Sequence, residues 1–119
     1  MNTAIRVQPV RTTEVTTTVV GYMIWDNKDR HISAHVEMWE VDMVPSENGS
    51  GTARIAPGHY FVARVQMHRG DRRYGAFQSE RYFTSADERF EAVNKTIAGS
   101  MKRAARQFPS TEPKPLSDL

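Results

Sequence analysis

The chain has 119 residues, 39% of them hydrophobic and 25% charged, with 16 Lys/Arg against 14 Asp/Glu and no cysteine. That is the size and balance of one globular domain, and it excludes a largely disordered chain, a disulfide framework and a thiolate metal centre. No stretch approaches the ~18 apolar residues of a membrane span, and the N-terminal MNTAIRVQPVRTTEV lacks the apolar run of an export signal, so a cytoplasmic location is expected.

Residues 1–10 carry no clear pattern and are expected to be a flexible lead-in. The single domain is expected to span residues 11–108. Residues 11–25, RTTEVTTTVVGYMIW, are dense in threonine, valine and aromatic residues and are expected to form a strand. A turn follows at DNKD, residues 26–29.

The next segment, HISAHVEMWEVDM at 31–43, places Ile32, Ala34, Val36 and Met38 on one alternating face, and Trp39, Val41 and Met43 on the other. A strand that changes phase in this way is expected to carry a bulge between Met38 and Trp39, because one inserted residue re-aims every later side chain.

The run PSENGSG reads as a loop, residues 52–56 as a short strand, and Pro57-Gly58 as a turn. In HYFVARVQMH, residues 59–68, Phe61, Ala63, Val65 and Met67 form an inward row, with Tyr60, Arg64, Gln66 and His68 opposite. Residues 69–72 are expected to turn the hairpin and residues 73–83 to form its return strand.

Ser85-Ala86-Asp87-Glu88 has the spacing of a capping box, in which a serine hydroxyl accepts from the amide three residues on. Beyond it Phe90, Val93, Ile97, Met101, Ala104 and Phe108 recur at spacings of three and four, the apolar stripe of a helix. Pro109 ends that helix, and the proline-rich residues 109–119 are expected to be a disordered tail. The fold class expected is α+β: an antiparallel sheet of four to five strands, in meander-like hairpins, with one C-terminal amphipathic helix packed on one face.

No nucleophile-base arrangement, glycine-rich phosphate loop or set of metal ligands stands out, so the chain is expected to be a binding protein and not an enzyme, with neither cofactor nor metal. His31 and His35 are the only close histidine pair in the sequence, roughly 13 Å apart on a strand and too distant to share a metal. Charge is uneven: residues 1–59 hold five Lys/Arg and seven Asp/Glu, while residues 60–119 hold eleven and seven, so an anionic partner would meet the second half.

That half suggests single-stranded nucleic acid. Arg64, Arg69, Arg72, Arg73 and Arg81 on one hairpin are suited to phosphates, and Tyr60, Tyr74 and Tyr82 to stacking on bases. Lys102, Arg103 and Arg106 add a basic helix end, although the helix dipole alone favours cations there. Within the hairpin, RRYGAF at 72–77 resembles the first ribonucleoprotein box of RNA-recognition motifs, with Arg73 where that box has glycine and Ala76 where it has phenylalanine. That family's fold needs a helix among the early strands, where only strands and turns are read. The order of several strands and then one helix is similar to that of the dimeric single-strand-binding modules of transcriptional coactivators, a resemblance of architecture alone.

The competing reading takes the arginines as charges that protect an exposed hairpin from edge-to-edge association. The alternative function is a protein-interaction or inhibitor-like accessory module with no nucleic-acid role, a homodimer in one form of it. It would dock through a strand edge or through Trp39, Val41 and Met43, should the bulge turn them outward.

Overall fold

The computed structural model describes residues 5–24, 31–69 and 72–107. In chain order the elements are β1 (Val7–Arg11), β2 (Thr16–Ile24), β3 (His31–Pro45), β4 (Gly58–Arg69), β5 (Arg72–Tyr74), β6 (Arg81–Phe83) and α1 (Ala86–Gln107). The six strands form one sheet in which every pairing is antiparallel, and the helix packs on it. This is the α+β architecture expected. The turn at 26–29, Phe108 and the tail at 109–119 lie outside the described residues.

The spine is the long pair β3–β4, which runs without interruption from Ile32 opposite Arg69 to Met43 opposite Gly58. Shorter strands share its two outer edges. Along β3, β2 pairs with residues 31–38 and β1 with residues 41–45. Between them the Thr12 amide donates to the Glu40 carbonyl (2.9 Å) and the Glu40 amide to Thr13 Oγ1 (2.8 Å), so the edge stays satisfied where one strand hands over to the next. Along β4, β5 pairs with residues 67–69 and β6 with residues 61–63, and the Val65 amide donates to the Phe77 carbonyl between them.

Residues 7–11 are a strand and not a flexible lead-in, and Val7 is fully buried. The single strand read over 11–25 is divided at 12–15. No bulge separates Met38 from Trp39; the register shift among the described strands lies in β2, between Val20 and Tyr22. Residues 52–56 form no strand, although Thr52 bridges Val7 through reciprocal backbone bonds of 2.8 and 2.9 Å. The return strand read over 73–83 is two short strands, because Gly75 and Ala76 both take positive φ (41° and 65°) and lift the chain off the ladder.

The phase change in β3 has a different cause from a bulge: the strand is buried on opposite faces along its two halves. On one face Ile32, Ala34, Val36, Ala63, Val65 and Met67 meet Val93, Ile97 and Met101 of α1, with Phe77 closing the side. On the other face, further along, Trp39, Val41, Met43, Val62 and Val7 form a second core lidded by Val15, Ile55, Tyr60 and Tyr82. Each fully buried valine contributes roughly 1.5–3 kcal/mol, so each core is substantial for a chain of this size. Trp39, Val41 and Met43 are therefore interior, at 2–6% exposure, and do not form the outward apolar patch considered above.

The helix begins as its capping residues dictate. Ser85 Oγ accepts from the Glu88 amide at 3.1 Å, while the Glu88 carboxylate accepts from the Thr84 hydroxyl at 2.9 Å. Phe90, expected on the apolar stripe, is 42% exposed, while Val93, Ile97 and Met101 are buried. Arg89 joins the start of the helix to the sheet: its Nη1 donates to the carbonyls of Trp39 (3.0 Å) and Val62 (3.4 Å), and its guanidinium lies 5.4 Å from the Phe61 ring centre. Burial pushes the pKa of Arg89 down.

Candidate nucleic-acid interface

Two diagonally offset cores leave two quarters of the β3–β4 spine without an apolar cover. One lies on the helix side beyond α1, where Glu40 and Asp42 flank His59. His59 Nε2 is 2.8 Å from Glu40 and Nδ1 is 2.7 Å from Asp42, and the hydrogen bonds to Asp42 and then Glu40 raise its pKa. The carboxylates hold different ring nitrogens, so the three side chains do not converge on one point. Among the described residues no group of three His, Asp or Glu is placed to hold a metal ion.

The other uncovered quarter is on the opposite face, at the end away from the second core. There β3 presents His35 and Glu37, β4 presents Arg64, Gln66 and His68, β5 contributes Arg73, and Thr17 and Gln78 complete an open concavity of about 510 Å³. Strand alternation explains the set, since residues two apart on β3 and on β4 share a face. The apolar residues between them have turned to the helix.

His35 and His68 meet across the spine with ring centroids 3.8 Å apart and planes tilted by 38°. Ser33 Oγ lies 3.3 Å from His35 Nε2. Burial pushes the pKa of His68 down, and the neighbouring His35 and Arg73 add to that effect. Arg64 donates through Nε (3.0 Å) and Nη2 (2.7 Å) to a single oxygen of Glu37, so part of its charge is already balanced. Arg73 is exposed and is paired in register with His68.

The residues expected to form one basic-aromatic surface are thus divided. Arg64 and Arg73 line the concavity. Tyr60 and Tyr82 are half-buried at the lid of the second core, edge to face with centroids 6.3 Å apart. Their hydroxyls donate to the Ala56 carbonyl and to Glu80, each at 2.8 Å. Burial and the Glu80 bond push the Tyr82 hydroxyl up to about 12. Both rings are thus engaged with the second core and not with the concavity.

Arg81 lies on the helix side, 4.7 Å from the centre of the Phe77 ring. Lys102 and Arg103 are exposed on α1, with Arg103 Nη2 donating to Ser100 Oγ at 3.3 Å. These three do not join Arg64 and Arg73. Arg69 and Arg72 form a register pair at the end of the spine, Tyr74 pairs with Met67, and Arg106 lies in the last turn of α1; the side chains of these four residues lie outside the described residues.

Sequence reasoning missed His35 and His68 as a pair, because they are far apart in the chain and only the β3–β4 register brings them together. The inward row of β4 was the available signal: it places His68 on the outer face with Arg64. No protein-family model matches the chain, and no curated protein or solved structure matches it significantly. No helix among the described residues is long and apolar enough to cross a membrane.

Proposed function

We propose that the chain is a small non-catalytic binding protein that takes single-stranded nucleic acid on the uncovered quarter of its sheet. The observation that carries this reading is the concavity where Arg73, Arg64, His68 and His35 meet, lined otherwise by uncharged polar groups and one carboxylate, Glu37. Cationic and polar groups on an open sheet can follow a phosphate backbone. A trough favours a single strand, since reading a duplex requires an element that enters a groove.

The test is fluorescence anisotropy of labelled single- and double-stranded oligonucleotides over a salt series, with Arg73→Ala beside the wild type. The reading expects binding to the single strand that weakens steeply with salt and is reduced in the variant. Absence of binding at low salt would remove it.

A second reading is supported by β2. Thr16–Ile24 contains no charged residue and no proline, the usual protections of an edge, and among the described residues it pairs only with β3. Val19 on this strand is 52% exposed. Association through this edge would make a homodimer with a continuous sheet, and sedimentation of the wild type beside Val19→Lys distinguishes it.

A further inference from the structure

We propose that His68, backed by His35 and flanked by Arg73, is the phosphate-binding centre of the uncovered face. This deepens the nucleic-acid reading and rests on it only for the source of the phosphate; the site itself is argued from local geometry.

Three strands bring the groups together. His68 on β4 is directly opposite Ser33 on β3 and Arg73 on β5, while His35 is two residues from Ser33 on the same face. The His35 ring lies against the His68 ring at 3.8 Å, which limits how the latter can turn. Arg73 is exposed, whereas Arg64 is held in an ion pair by Glu37, its register partner across β3–β4. The His68 end of the concavity is thus richer in available cationic groups than the Glu37 end.

Among the described side chains, the titratable and charged groups facing His68 are His35 and Glu37 from β3, Arg64 from β4 and Arg73 from β5; β2 is uncharged along its length. Of these only Glu37 is an acid, and it is held by Arg64. Burial and the two neighbours keep His68 neutral more readily than a free histidine. A phosphate group beside it reverses that balance, because its negative charge favours the imidazolium form and can accept the ring N–H. Occupation of the site therefore takes up a proton, and by linkage affinity rises as pH falls.

The experiment measures binding of a labelled oligothymidylate at about pH 7.5 and about pH 5.5 at fixed ionic strength, for the wild type, His68→Gln and Arg73→Ala. Uptake of one proton predicts that the wild type tightens roughly tenfold or more on acidification, whereas His68→Gln shows a nearly flat response. Arg73→Ala weakens binding at both pH values. In parallel, the imidazole resonances of the wild type are titrated with and without inorganic phosphate, which needs no variant.

An upward shift in the His68 titration with phosphate supports the subsite. If that shift occurs while the oligonucleotide fails to bind, the subsite stands for free phosphate esters and the single-strand reading falls. An equal pH response in wild type and His68→Gln, with no phosphate effect on His68, overturns the subsite while leaving the binding face. Failure of both ligands to bind overturns both.

Discussion

Met38 and Trp39 are consecutive residues of an unbroken strand, yet each packs into a different core on opposite faces of the sheet. This relationship organises the molecule. It makes β3–β4 a shared wall between two cores, and it leaves a polar surface on the reverse side of each.

Because both cores share that wall, removing a large side chain from either should destabilise the whole chain. Trp39→Ala is expected to cost about 3–5 kcal/mol and Ile97→Ala about 2–5 kcal/mol. Chemical denaturation followed by tryptophan fluorescence and by circular dichroism should give transitions that coincide between the two probes, in the wild type and, at a lower midpoint, in the Ile97 variant. Separate transitions would mean that the two cores fold independently.

The loop after β3 contains two glycines whose substitutions should differ in cost. Gly51 has φ +93° and an added Cβ would fall on the Val7 carbonyl, beside the Thr52–Val7 bridge; Gly49 has φ +77° with open space around it. Gly49→Ala should therefore cost about 1–2 kcal/mol, the backbone penalty alone. Gly51→Ala should cost clearly more, because backbone must move, and melting temperatures of the two variants provide the comparison.

Replacing Ser85 by alanine removes the hydroxyl that accepts from the Glu88 amide and should cost about 0.5–2 kcal/mol. Glycine at this position should cost less than alanine, which separates loss of the cap from a general change at the site.

His59 gives the stability a pH dependence of known sign. Its pKa is raised in the folded state, first by Asp42 and then by Glu40. The contribution is complete below the unfolded-state value near ~6.5 and is lost as pH rises through the higher folded-state value. The difference in melting temperature between wild type and His59→Gln should shrink over that window, and Asp42→Asn should reduce the pH dependence of the wild type.

Periodicity made much of this architecture readable. Ala63, Val65 and Met67 alternate on β4, and Val93, Ile97 and Met101 repeat on α1, and these rows do meet in the first core. The apolar phase change at Met38 and Trp39 was equally visible, but two physical causes produce it: a bulge, or an exchange of the covered face. Alternation within one strand cannot distinguish them, because the difference lies in what covers each side. The candidate site was less legible for the same reason. Arg64 and Arg73 were found by charge, Tyr60 and Tyr82 were misplaced because their lid role depends on a loop and a second core, and His35 with His68 required the strand register.

Amide chemical shifts of the labelled protein, mapped with and without a single-stranded oligonucleotide, show whether the uncovered quarter of the sheet is the binding face. The largest changes should fall at His35, Glu37, Arg64, Gln66, His68 and Arg73. Changes centred instead on Lys102 and Arg103 of the helix, or no changes at all, would contradict that placement.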